Sequence, residues 1–204
     1  IALMPRVTVG VAGWLAAAVS AAGQTECTLD ETGCKVTCGS AKIDLTGFQD
    51  SSEMGGNPFW QINDHDPQGS HFYYFMGCGP LPPSPPSTLS CSGSAVQNTV
   101  ATQAWGSEAS DPSQPFPENS CVNLGDFSQP SCTLNGTNGG VLCDFKGGDA
   151  TRHVTFAYTC DPSVTSPSAP VVSQPSTWGY LVKFRGKAAC IADGPGGSSG
   201  GLSW

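Results

Sequence analysis

Apolar and polar residues alternate most cleanly near the C-terminal end of the chain. In residues 152–160, Val154, Phe156 and Tyr158 share one parity, and His153, Thr155 and Ala157 share the other. In residues 180–184, Tyr180, Val182 and Phe184 fall together, with Lys183 opposite. A period of two is the signature of a half-buried strand, so these segments predict adjacent strands of a small all-β domain. Extending the first alternation back one step puts Arg152 on the apolar face, so an arginine and a tyrosine both point inward at strand ends. A buried guanidinium requires acceptors, which means a polar pocket, unless Arg152 turns outward or pairs with Asp149.

Weaker patterns precede this pair. Residues 41–48 read as a short strand and turn. Residues 71–78, HFYYFMGC, are aromatic-rich and strand-like. They run into the proline stretch 80–86, a surface loop that cannot pair inside a sheet. Residues 94–105 resume with β-branched residues and predict another strand or hairpin. Residues 121–125 lead to 131–140, which carries the acceptor sequence Asn135-Gly136-Thr137, a glycosylation site on an exposed turn. The run Asn63-Asp64-His65-Asp66 has turn composition. A metal set of Asp64, His65, Asp66 and His71 can be drawn from it, but the turn reading is preferred and no metal or other cofactor is expected.

Composition narrows the class. The chain has 204 residues, of which 26 are Gly, 17 are Pro and only 12% are charged. That mixture favours short strands and many turns in one domain. A net charge of −8 argues against nucleic acid as a partner. Ten cysteines without a Cys-x-x-Cys pair imply disulfides and an oxidising compartment. Residues 1–23, with Pro5-Arg6 before an uncharged apolar run and Ser20-Ala21-Ala22 at its end, read as a secretory signal peptide. Residues 1–3 then lie upstream of a start at Met4. Residues 24–190 form the domain, and 191–204 a flexible tail. No Gly-x-Ser-x-Gly or placeable carboxylate pair is present, so the expectation is not an enzyme. A secreted carbohydrate-active enzyme is the least favoured reading.

Seven pieces occur in the order found in a known family: Ile43-Asp44-Leu45, residues 72–78, Ser94-Ala95-Val96-Gln97, Val122-Asn123-Leu124-Gly125, Gly147-Gly148-Asp149, residues 152–160 and residues 180–190. Together they resemble the mannose 6-phosphate receptor homology family across about residues 27–190. The resemblance implies a disulfide-rich, flattened β-barrel or sandwich of two crossed antiparallel sheets. It also implies a mannose-type ligand, held through Gln97, Arg152 and Tyr180. The family glutamate belongs in residues 169–174, where the nearest polar side chain is Gln174. Losing a charge-assisted acceptor costs roughly 1.5–3 kcal/mol, so binding about ten- to a hundredfold weaker, or absent, is expected.

The resemblance pairs Cys160 with Cys190, and Cys78 with Cys27 or Cys38. It leaves Cys91, Cys121, Cys132 and Cys143 unassigned. A further family disulfide is replaced by Ala150-Thr151 and Trp178. Mannose-type N-glycans or glycoprotein cargo are the implied partners. The implied place is the lumenal side of Golgi, endosome or lysosome membranes, with attachment through a helix following Trp204. The alternative is the same fold acting as a protein-interaction module in trafficking or autophagy membranes, without sugar binding.

Overall fold

The computed structural model describes residues 25–49, 54, 59–66, 69–82, 91, 98–106 and 120–192. Its first element is a hairpin of β1 (Glu26–Leu29) and β2 (Lys35–Cys38), in which Thr28 faces Thr37 and Leu29 faces Val36. One step further along that register Cys27 meets Cys38. They form a disulfide with Cα atoms 4.2 Å apart, the spacing of the closer type of antiparallel residue pair.

The hairpin turn is tied by the Asp30 carboxylate, which accepts from the N–H groups of Cys34 and Lys35. Cys34 bonds to Cys78 instead of either hairpin cysteine. This corrects the pairing of Cys78 expected from the resemblance. Cys27 and Cys38 are consumed by each other because the hairpin places them opposite. Cys34 and Cys78 then meet because two glycines let their chains close. A Cβ on Gly33 would lie 2.7 Å from the Gly79 Cα.

The chain continues through β3 (Ala41–Asp44) and a 3-10 turn (Leu45–Gln49) that buries Leu45 and Phe48. Next come β4 (Trp60–Asp66), β5 (Gly69–Phe75) and β6 (Thr99–Trp105). They are followed by β7 (Cys121–Leu134), β8 (Val141–Gly147), β9 (His153–Cys160), β10 (Val171–Ser176) and β11 (Gly179–Gly186). Asp64 to Asp66 therefore lie in a strand rather than in the turn that their composition predicts. Cross-strand pairing with an aromatic-rich β5 overrides the local preference.

Strand β7 organises the domain. Its 14 residues pair with β6 up to Asp126, with β8 at Gly125 and, after a register shift, from Pro130 onward, and with β1 at Cys132 and Thr133. One arm runs β4-β5-β6 into β7, and the other runs β10-β11-β9-β8-β7-β1-β2-β3. Gly125, Ser128 and Pro130 mark the bulged region where one strand passes from the first arm to the second, a place where proline and glycine are tolerated. Cys132 and Cys143 face each other across β7 and β8 and form a disulfide, as do Cys91 and Cys121.

The arms close on a shared aromatic core. Val154, Phe156 and Tyr158 of β9 are buried with Tyr180, Val182 and Phe184 of β11, the inward sets expected from alternation. They meet the opposite arm at Phe75, whose ring lies 5.9 Å from both Phe156 and Phe184. The result is an all-β, disulfide-rich sandwich curled from one strand network.

One expectation needs correction. β9 and β11 are neighbours but run parallel, with Tyr180 beside Val154 and Gly186 beside Cys160. The chain leaves β9, returns as the far edge strand β10, and hairpins back so that β11 inserts between the two. The Cys160–Cys190 disulfide closes the end of this parallel pair. Among the described residues, no helix is long and apolar enough to cross a membrane.

Candidate functional site

Strand β6 is buried along nearly its whole length, and its polar residues therefore need internal partners. Gln103 sits opposite Tyr73 of β5, on the face that meets β11. Its Nε2 donates to the Tyr73 hydroxyl at 3.1 Å, while the Tyr180 hydroxyl donates to its Oε1 at 2.9 Å. The two tyrosine rings lie 6.2 Å apart. An amide thus joins two phenols from opposite arms, and all three side chains are buried.

The resemblance assigns the glutamine of the site to Gln97, which lies outside the described residues. The residue that reaches Tyr180 is Gln103, which sequence reasoning passed over. The two are six positions apart and share a parity, so alternation alone does not separate them. The usable signal was a long amide inside an otherwise apolar strand, where it must find a partner.

Replacing Tyr180 with Phe tests this chain of bonds. Gln103 Oε1 would remain buried without its donor, at an expected cost of about 1–3 kcal/mol. Denaturant unfolding of the variant measures it. An unchanged midpoint would show that the tyrosine–glutamine bond does not hold the arms together.

Arg152 is aimed by an unusual turn. The 3-10 segment Asp149–Thr151 contains two successive non-glycine residues with positive φ, Ala150 at 50° and Thr151 at 68°. Such conformations cost of order 1–3 kcal/mol each and persist only where the surroundings over-determine them. Here the Asp149 carboxylate accepts the Asn123 N–H at 2.8 Å. Gly148 packs so closely on β7 that an added Cβ would meet the Leu124 carbonyl oxygen at 2.6 Å.

The arginine itself is half-buried. Its Nη1 donates to the Asp149 carbonyl at 3.0 Å, and its Nε is buried with no partner. The guanidinium carbon lies 4.6 Å from the centre of the Trp178 ring. Arg152 stands just before β9, and the local reading of it is realised, through the Asp149 backbone carbonyl.

Trp178 is delivered by the parallel register. His153 pairs with Gly179, and the His153 N–H donates to the Trp178 carbonyl at 3.0 Å. Ala150-Thr151 and Trp178 are the two places where the resemblance expects a disulfide. Here they frame the arginine by a cation–π contact.

Gln174 is not brought to this group. It is exposed on β10, and its Nε2 donates to the Thr177 carbonyl at 2.9 Å, bracing the β10–β11 turn. Asp161 is also elsewhere. It lies at the Cys160 end of β9, where its carboxylate accepts from Arg185 Nε at 2.7 Å. Hydrogen bonds from the Ser163 side chain and backbone, together with Arg185, hold its carboxyl below the usual carboxylate range. That acid serves the far end of the strand pair.

Asn135 stands on the exposed turn between β7 and β8, with its N–H bonded to the Gly140 carbonyl. Asp64 and His71 are cross-strand neighbours on β4 and β5. Among the described residues, no cluster of three or more His, Cys, Asp or Glu side chains is placed to hold a metal ion.

No family model matches the chain, and no curated protein does. Solved structures similar to it include domain 11 of the echidna mannose 6-phosphate/IGF2R receptor, at 12% identity and a TM-score of 0.46, covering 81% of this chain and 99% of that one. Chicken IGF2R domain 11 is similar at 14% identity and a TM-score of 0.46, with 80% and 95% coverage. The MRH domain of Yos9, solved in complex with α3,α6-Man5, is similar at 13% identity and a TM-score of 0.37, with 71% and 83% coverage.

Proposed function

We propose that this domain binds mannose-type N-glycans and works in the lumen of the secretory pathway, in glycoprotein sorting between Golgi, endosome and lysosome. The observation that carries this reading is the Tyr180–Gln103–Tyr73 chain of hydrogen bonds, at the end of the β9–β11 pair where Trp178 frames Arg152. An amide and a guanidinium can each present two groups to neighbouring sugar hydroxyls, and a phenol on a rigid ring adds a donor. The buried Arg152 Nε has no partner within the protein, so the guanidinium is left short of an acceptor. Ten cysteines, all in disulfides, fit an oxidising lumen. Membrane attachment by a helix following Trp204 belongs to the same proposal. An apolar run of about 20 codons downstream would support it, and an immediate stop codon would remove it.

The reading predicts binding without catalysis, and at modest affinity, since the family carboxylate has no counterpart among residues 169–174. A glycan array probed with the whole chain tests it. Binding to high-mannose or phosphomannosyl glycans is expected, with Arg152→Ala reducing it about ten- to a hundredfold, the scale of a charged hydrogen-bond donor lost from a site. A folded protein that binds no glycan would reject the reading.

A second reading, a protein-interaction module of trafficking or autophagy membranes, is favoured by two exposed apolar side chains on the β10–β11 edge. Val171 is 61% exposed and Trp178 44%. Retention of partner binding after Arg152→Ala would favour it over the first.

A further inference from the structure

We infer that Trp178 forms a second sugar subsite, next to the one served by Arg152, and makes the domain prefer an oligosaccharide to a single mannose. The inference rests on the glycan-binding reading above and adds to it a residue that has no counterpart in the site set implied by the resemblance.

The geometry leads there in three steps. Trp178 is 44% exposed, in a domain that buries most of its large aromatic side chains. One face of its indole is already covered, because the Arg152 guanidinium lies 4.6 Å from the ring centre. The proposal places the sugar on the opposite face of the ring.

An apolar C–H face of a pyranose can lie on that open surface at ordinary carbon–carbon contact, roughly 4 Å. A sugar so placed is roughly 9 Å from the guanidinium, the sum of the two spacings, and beyond direct hydrogen-bond reach. The pyranose that meets Arg152 and the pyranose that meets Trp178 are thus different rings of one glycan.

The backbone holds this arrangement in place. The Trp178 carbonyl is fixed by the His153 N–H, and Gly179 next to it is buried against the His153 ring. An aromatic surface held in place loses little freedom when a sugar settles on it. Contact area gained there offsets part of what the missing carboxylate would have supplied.

The test compares two probes, methyl α-mannopyranoside and an α-linked mannotriose, titrated by NMR against the whole chain, Trp178→Ala, Trp178→Phe and Arg152→Ala. Wild type is expected to bind the trisaccharide more tightly than the monosaccharide. Trp178→Ala should weaken trisaccharide binding about tenfold more than monosaccharide binding, while Trp178→Phe keeps most of the preference. Arg152→Ala should weaken both probes together.

Equal loss of both probes in Trp178→Ala would overturn the proposal and reduce Trp178 to a support for Arg152. No change with either probe would also overturn it, while leaving the glycan-binding reading standing. Binding of neither probe by a folded wild type would reject both. Trp178→Phe, which retains a ring for Arg152 to lie on, keeps the comparison decisive if the alanine variant is unstable.

Discussion

Phe156→Ala is expected to cost about 3–5 kcal/mol of unfolding free energy, the range for removing a large buried aromatic side chain. Phe156 has no exposed surface. Its ring lies 5.4 Å from Phe145, 5.8 Å from Phe184, 5.9 Å from Phe75 and 6.2 Å from Tyr158. These neighbours belong to β8, β11, β5 and β9, so one side chain joins both arms of the sandwich. The cavity left behind cannot collapse easily, because five disulfides fix the chains around it. Denaturant unfolding with the disulfides intact measures the effect. Val171→Ala, at a site 61% exposed, should stay within about 0.5 kcal/mol and serves as the comparison. A Phe156→Ala shift no larger than that of Val171→Ala would mean that the arms are not held through this ring.

Removing the Cys160–Cys190 bond by changing both cysteines to serine should cost about 3–4 kcal/mol. The bond spans 30 residues, a loop that contains β10, β11 and the β10–β11 turn. In the chain-entropy account, opening a loop of this length returns freedom mainly to the unfolded state. For a domain of this size the loss corresponds to roughly 6–16 °C in melting temperature. Cys132–Cys143 closes only 11 residues and joins strands already paired directly. Its removal should cost less, about 3 kcal/mol. Calorimetry on the two double-serine variants gives the order. If the Cys132–Cys143 variant melts lower, loop length does not govern these bonds.

The Cys160–Cys190 bond also bears on the site. It closes the end of the β9–β11 pair opposite Tyr180 and Trp178, at the edge where Gly186 meets Cys160. Below it, the Asp161 N–H bonds to the Gly186 carbonyl and the Lys187 N–H to the Val164 carbonyl. The parallel register that sets Trp178 beside Arg152 is thus pinned at its far end. The serine variant should therefore lose site geometry together with stability.

Alternation in residues 152–160 and 180–184 was enough to name the inward side chains. Side-chain direction in a strand follows from the backbone pleat, which is local and needs no knowledge of the partner. The family resemblance supplied the Cys160–Cys190 bond and the sandwich architecture. Three features were out of reach for a common reason. The parallel sense of β9 and β11, the passage of β7 between the arms, and the Cys34–Cys78 bond each depend on segments far apart in the chain. Alternation reads the same in either direction, and a glycine or proline inside a bulge looks like a strand end until its neighbours are in place.

The site divides along the same line. Sequence by itself determined that the domain is all-β and cross-linked, that Tyr180 lies on the inward face of its strand, and that no acid stands among residues 169–174. Tertiary structure alone decided that Gln103 answers Tyr180, that Gln174 turns away to its own hairpin, and that Trp178 frames Arg152. The reason is physical: a face is a property of one strand, whereas a hydrogen-bond partner is chosen only when two arms close and leave a buried polar group a single place to go.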